Sequence, residues 1–138
     1  MWYLADMITK GIRKTFMLGI AAMVLQAPPQ SVWDGVYTDD QATRGEATFN
    51  KTCVACHDLK GEMMGDAFMN TWKGQKAFDL YDKIKNEMPM DNPGSLTPQT
   101  SVDIVSFLFK SNAFPSGKSE LEAKDDTLKQ IKIEPKSR

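Results

Sequence analysis

The apolar residues of the chain recur mostly at helical spacing. In residues 41–50, Gly45 and Phe49 stand four positions apart and therefore share one face of a helix. Residues 66–73 form a short amphipathic segment, and residues 75–87 form a longer one with an apolar side. No segment keeps the strict alternation of a β-strand for long. The pattern predicts an all-α protein.

The clearest predicted helix spans residues 98–110. Thr97 precedes it as an N-cap residue, and Pro98 stands in the first turn, where its missing N–H does no harm. Its apolar positions are Val102, Ile104, Val105, Phe107, Leu108 and Phe109. A glycine in mid-helix costs about 1 kcal/mol against alanine, so Gly45 is expected to permit close approach by another helix. We therefore expect the aromatic face of this helix to pack against Gly45 and Phe49.

The N-terminal segment has the three parts of an export signal. Lys10, Arg13 and Lys14 precede an apolar run of eleven residues, 15–25, and a small residue follows at position 27. The run is too short for a membrane span of about 20 residues. Residues 1–27 are therefore predicted to be a signal peptide, and the alternative is an uncleaved anchor. Met7 is an equally good translation start for this signal.

The rest of the chain divides by composition. Residues 28–37 are predicted to be a linker and residues 38–117 the folded domain. Residues 118–138 are rich in Lys, Asp, Glu and Ser and lack aromatic residues, which predicts a charged, solvated tail. A fragment of helix is expected near residues 121–131.

The charge of the chain argues against a nucleic-acid partner. Of 17 Lys and Arg and 18 Asp and Glu, three cations and one anion lie in residues 1–27. The remainder, 14 cations against 17 anions, has a net charge of −3. Nucleic-acid binding needs a clustered basic face, and none is evident.

The most specific motif is Cys53-Val54-Ala55-Cys56-His57. Two cysteines separated by two residues and followed at once by a histidine form the attachment signature of c-type haem. Each thiol can add to one haem vinyl group, and the histidine then lies beneath the porphyrin plane, where a ring nitrogen can bind the iron. The motif predicts one covalently attached haem c, with Cys53 and Cys56 as the attachment residues and His57 as an axial ligand of the iron.

Two other chemistries use paired cysteines. A redox disulfide of the thioredoxin kind needs a preceding strand and a βαβ context, whereas the segment before Cys53 has a helical pattern. A zinc site needs four ligands, mostly Cys or His, and the chain holds two Cys and one His. Both alternatives are less favoured than haem attachment.

The sixth iron ligand is predicted to be a methionine, because His57 is the only histidine and Met/His coordination occurs in cytochromes c. Five methionines follow the attachment motif: Met63, Met64, Met69, Met88 and Met90. The first two come very soon after His57, and Met69 has the spacing of a packed helical residue. Met88 and Met90 lie in a stiff loop with two prolines. We favour Met88, and Met90 is the alternative.

These motifs resemble those of the small monohaem class I cytochromes c. The resemblance covers roughly residues 38–117 and rests on the attachment motif, the preceding helix and the methionine-proline loop before a C-terminal helix. It implies an all-α cytochrome c fold with three to five helices around one haem, whose terminal helices cross where Gly45 and Phe49 meet Phe107. It also implies that Met88, in the Met-Pro step, is the axial ligand.

A finer resemblance suggests partners. The loop after Met88 and the segment Asn112-Ala113-Phe114-Pro115-Ser116-Gly117 look like those of cytochrome domains and subunits that accompany periplasmic quinoprotein dehydrogenases. The resemblance implies a periplasmic or otherwise exported protein without a stable membrane span after signal cleavage. Its partners are then redox proteins: a quinoprotein dehydrogenase, and a terminal oxidase or another cytochrome.

One position departs from the family pattern. Class I members usually have Gly-Pro after the attachment motif, and the proline carbonyl accepts a hydrogen bond from the axial histidine. Here Gly61 is followed by Glu62, so the partner of His57 must be another group. Trp72 stands where members of this family often have a side chain near a haem propionate, so the resemblance implies that its indole N–H can donate there; packing in the core is the alternative.

Electron transfer is the predicted function, and catalysis is not. With both axial positions filled, the iron offers no site to a substrate. The alternative is a haem enzyme or gas sensor with an open sixth position, which requires Met88 and Met90 both to be packing residues. No second histidine is present to serve as an acid or base.

Overall fold

The computed structural model describes residues 30–137. The predicted signal peptide, residues 1–27, lies outside these residues. The elements in chain order are β1 (Gln30–Ser31), a 3-10 helix (Val32–Asp34), α1 (Asp39–Thr52), α2 (Leu59–Glu62), α3 (Gly65–Trp72), α4 (Ala77–Glu87), α5 (Pro98–Ser111), α6 (Asp125–Gln130) and β2 (Ile131–Lys132).

The predicted all-α fold class is confirmed, and the only sheet within residues 30–137 is the two-residue pairing of β1 with β2. These residues form six α-helices rather than three to five. The additional helices are short: α2 is a single turn, and α6, which lies in the predicted tail, has six residues. None of the helices in this part of the chain has the length and apolarity to cross a membrane.

Helices α1 and α5 cross at the predicted glycine-aromatic contact. Gly45 is buried, and a Cβ atom at this position would collide with the backbone carbonyl of Asp103 in α5. The rings of Phe49 and Phe107 meet with their centroids 5.2 Å apart. Beside them, Arg44 donates from Nε and Nη2 to the two carboxylate oxygens of Asp103, at 3.0 and 3.1 Å. Backbone contact and ion pair together fix the crossing that precedes the attachment motif.

We expect Gly45→Ala to lower the free energy of unfolding by about 1–3 kcal/mol, the usual cost of overpacking a well-packed core. The loss should occur although alanine is the better helix former by about 1 kcal/mol. Urea denaturation followed by circular dichroism measures it. Asn50→Ala, at an exposed position of α1, is the control and should not destabilise the protein. Equal stability of Gly45→Ala and wild type would contradict the close crossing.

The expected linker, residues 28–37, is corrected in its described part. Residues 30–37 pack on the core, where Val32 and Tyr37 are fully buried. The Tyr37 hydroxyl donates to the carbonyl of Phe114 at 2.6 Å, and burial, with a smaller contribution from the Asp39 charge, raises the pKa of Tyr37 to about 12. The ring of Trp33 meets Phe114 edge-on with centroids 4.9 Å apart. Two apolar pairs, at positions 32–33 and 36–37, explain why this segment packs on the core.

The expected solvated tail is also corrected. The large apolar side chains between positions 118 and 137 are buried, namely Leu121, Leu128, Ile131 and Ile133. The fully buried side chain of Gln41 donates to the carbonyl of Leu121 at 2.9 Å and accepts from its N–H at 2.7 Å. The predicted fragment of helix is confirmed as α6, and β2 pairs in parallel with β1. Four apolar side chains among many charged ones are sufficient to hold the segment on the domain.

Candidate functional site

The attachment motif forms one tight turn at the end of α1. The N–H of Cys53 donates to the carbonyl of Phe49 at 2.8 Å, which continues the helical hydrogen bonding. The carbonyl of Cys53 then accepts from the N–H groups of Cys56 at 3.1 Å and His57 at 3.0 Å. Residues three and four apart in such a turn are neighbours on one face. The turn therefore presents both thiols and the imidazole from a single short piece of backbone.

The two cysteines are free thiols in different environments. Cys53 is half-buried against the apolar core, whereas Cys56 is exposed. Burial raises the pKa of the Cys53 thiol. Reactive cysteines of redox disulfides have lowered pKa values in electropositive surroundings. Cys53 therefore lacks the lowered pKa of such a reactive thiol.

His57 contacts a carboxylate that sequence analysis did not identify. Its Nδ1 lies 3.0 Å from Oε2 of Glu62, the last residue of α2. The side chain of Asp58 accepts from the N–H of Lys60 at 3.2 Å as the N-cap of α2, and this single turn returns the chain toward the histidine. The sequence signal was the residue after Gly61, where class I members usually have proline.

The two candidate methionines of the loop differ in exposure. Met88 is the C-cap of α4; its N–H donates to the carbonyl of Ile84 at 3.3 Å, and its side chain is partly buried. Met90 is 79% exposed. Within residues 30–137, no hydrogen bond or ion pair links Met88 to the Cys53–His57 turn.

The three earlier methionines, Met63, Met69 and Met64, take part in core packing or in the ends of helices. Met63 and Met69 are partly buried and pack against the apolar core. The carbonyl of Met63 accepts from Nδ2 of Asn112 at 2.9 Å, and Met64 is the N-cap of α3.

Trp72 ends α3 and is partly buried against the core. Its indole N–H donates to no group within residues 30–137, in contrast to Trp33, whose indole donates to the carbonyl of Glu134 at 2.8 Å. The indole N–H of Trp72 is therefore available to a group outside the polypeptide. Within residues 30–137, no hydrogen bond links Trp72 to the Cys53–His57 turn.

The residues present fit haem c better than a zinc ion. Two unbridged thiols and one imidazole on a single turn are the donor set that haem attachment requires. In the described part of the chain, no group of three or more His, Cys, Asp and Glu side chains is arranged to hold a metal ion. A zinc site needs four such donors, so the geometry disfavours that alternative.

Comparison with known families supports the same assignment. The family described as Cytochrome C oxidase, cbb3-type, subunit III matches residues 40–108, which is half of the 138-residue chain. The matched range contains the Cys53–His57 turn and Met88, and it ends within α5. No match was found among curated proteins or among solved structures. A cytochrome c domain implies haem c as cofactor. The chain therefore belongs to the family of cytochrome c oxidase, cbb3-type, subunit III, and it is a c-type cytochrome.

Proposed function

We propose that the protein carries one electron on one covalently attached haem c, with His57 and Met88 as axial ligands. The observation that carries the proposal is the Cys53–His57 turn, which presents two free thiols and the only imidazole of the chain together. Haem, when bound, supplies a one-electron couple whose potential depends on its axial ligands. The chain contributes attachment, orientation and shielding from water.

Differential exposure supports Met88 as the sixth ligand. An axial thioether has to lie against the haem, out of bulk water, and Met88 is partly buried whereas Met90 is 79% exposed. Met88 is also fixed as the C-cap of α4, so its backbone position is defined by the helix. Met90 lacks both features and is proposed to be a surface residue.

Trp72 is proposed to donate its indole N–H to a haem propionate. The support is its donor group, which has no partner within the described chain, and its partly buried position at the end of α3. Within residues 30–137 no buried side-chain nitrogen or oxygen lacks a partner, so the indole N–H of Trp72 is accessible and can donate to the cofactor.

Electron exchange is proposed to occur at the exposed side of the attachment turn. Cys56 is exposed and Val54 is 51% exposed, so the thioether edge of a haem attached here would face the solvent. Redox partners of this kind form weak complexes that bury less than about 1,200 Å².

We propose an exported, periplasmic location and redox proteins as partners. The support is the signal-like pattern of residues 1–27 and the c-type cytochrome family, whose haem is attached outside the cytoplasm. The donor is proposed to be a quinoprotein dehydrogenase, and the acceptor a terminal oxidase or another cytochrome. The support for these particular partners is the resemblance of the loop after Met88 to that of cytochromes that accompany quinoprotein dehydrogenases.

Reversible one-electron titration together with carbon monoxide binding tests the function. We expect one electron per chain and no carbon monoxide binding by the reduced native protein, because Met88 closes the sixth position. The same protein unfolded in denaturant should bind carbon monoxide and serves as the positive control. Ready binding by the native protein would instead support a haem enzyme or gas sensor.

A further inference from the structure

The hydrogen bond of His57 uses a carboxylate. Oε2 of Glu62 lies 3.0 Å from Nδ1 of the imidazole. An ionised carboxylate only accepts hydrogen bonds, so Nδ1 must carry the proton and donate. In the neutral imidazole, Nε2 is then the unprotonated nitrogen, which is the atom that can bind a metal.

The fold holds Glu62 in place from both sides. Before it, the N–H of Glu62 donates to the carbonyl of Asp58 at 2.9 Å, which closes the α2 turn directly after His57. After it, the carbonyl of Met63 accepts from Nδ2 of Asn112 at 2.9 Å, at the end of α5. The backbone of Glu62 is therefore attached to the histidine turn and to the C-terminal helix.

A second bond completes this attachment. Oδ1 of Asn112 accepts from the N–H of Gly65 at 2.8 Å, so one side chain bridges both residues that flank Met64. The same amide also donates to the carbonyl of Leu108 in its own helix at 2.8 Å. A single asparagine thus ties the segment after α2 to α5.

We propose that Glu62 is a positioning residue that orients the His57 ring and lowers the reduction potential of the haem. The inference rests on the proposed function, because it requires His57 to be the proximal ligand. A carboxylate acceptor makes a charge-assisted hydrogen bond, which is stronger than one to a neutral carbonyl. It makes the imidazole a more basic ligand. Both the basic ligand and the nearby negative charge stabilise the oxidised state.

The contact of Glu62 with His57 is expected to have a different effect from that of an ordinary surface ion pair. Glu62 is 55% exposed and His57 is 28% exposed, and exposed pairs contribute little to folding stability. Glu62 is therefore expected to affect the potential more than the stability, because its partner atom belongs to the same ring as the iron-binding nitrogen. This difference separates a positioning role from a structural one.

The test compares three variants of the holoprotein. Glu62→Ala removes both the charge and the acceptor, and Glu62→Gln removes the charge and keeps an acceptor oxygen. Asp58→Asn is the matched control, because it removes a charge next to His57 and retains a residue that caps helices. Two quantities are measured: the reduction potential, and the solvent exchange rate of the His57 Nδ1 proton by nuclear magnetic resonance.

For Glu62→Ala we expect about a tenfold shift toward the reduced state, which corresponds to 59 mV for a one-electron couple, and faster exchange of the Nδ1 proton. Glu62→Gln should give a smaller upward shift with less acceleration of exchange. Asp58→Asn should shift the potential less than Glu62→Ala and leave the exchange rate unchanged.

Several outcomes would overturn the inference. If Glu62→Ala leaves potential and exchange unchanged, Glu62 does not act on the ligand. If Asp58→Asn matches Glu62→Ala in both quantities, the effect comes from charge alone. If Glu62→Ala does not acquire haem, the test rests on Glu62→Gln. An unchanged reduction potential and an unchanged Nδ1 exchange rate in that variant would reject the proposal. Failure of the proposed function is distinct, because wild-type protein would then contain no attached haem.

Discussion

Met88→Ala is expected to open the sixth coordination position of the haem. The reduction potential should fall on the order of 0.1 V, within the roughly 0.8 V range that axial ligands set, because methionine coordination raises the potential of cytochromes c. The reduced variant should also bind carbon monoxide. Potentiometric titration and absorption spectroscopy measure both effects.

Met90→Ala is the matched control for this prediction. Met90 lies two residues further along the same loop and is 79% exposed, so its truncation should leave the potential and carbon monoxide binding nearly unchanged. In the oxidised protein, the Met–iron charge-transfer band at the red end of the spectrum should vanish only in Met88→Ala. The reverse pattern would make Met90 the ligand.

His57→Ala is expected to reduce the yield of stable holoprotein by about tenfold or more. The substitution removes the only imidazole of the chain and the bond that orients the haem on its turn. Because metal and cofactor binding are coupled to folding, we expect the remaining protein to be less stable as well. The measurement is the haem absorbance per milligram of purified protein, produced in a host that attaches haem to exported proteins.

The control for His57→Ala is Lys51→Ala, an exposed substitution at the end of α1. It should give a wild-type yield, which shows that the loss is specific to the histidine. A normal amount of stable red protein from His57→Ala would mean that the imidazole is not the proximal ligand.

The helix crossing was predictable from the sequence because its determinants are local. Gly45 and Phe49 are four residues apart on one helix, and Phe107 lies on the aromatic face of another. A mid-helix glycine has an energetic cost, so its presence indicates a contact that needs the space. The structure confirms that contact, with the Asp103 backbone against Gly45.

The packing of the C-terminal segment was not predictable in the same way. Its buried residues, Leu121, Leu128, Ile131 and Ile133, are separated by seven and three positions, as on a helix, and then by two, as in a strand. No single period therefore runs through the segment. Charged residues fill the intervals, so composition indicates a solvated tail. Burial results from contacts with distant residues, including Gln41 in α1 and the pairing of β2 with β1.

The proposed attachment motif could be recognised in the sequence, whereas the contact of Glu62 with His57 could not. Cys53, Cys56 and His57 lie within five consecutive positions, so their geometry depends on one turn. Glu62 reaches the imidazole only because α2 folds back after a cap at Asp58, and a four-residue helix leaves too short a pattern to detect. The sequence already favours Met88 over Met90, and their different exposures add support that the sequence did not contain.

Mass spectrometry of the exported protein tests the central claim most directly. The protein is digested without a disulfide reductant, so that a Cys53–Cys56 disulfide would survive alongside any thioether bonds, and the peptide that contains both cysteines is measured. We predict that this peptide carries the mass of one haem, joined through both cysteines. A peptide with two unmodified thiols, or with a Cys53–Cys56 disulfide, from a host that matures other c-type cytochromes would contradict the account.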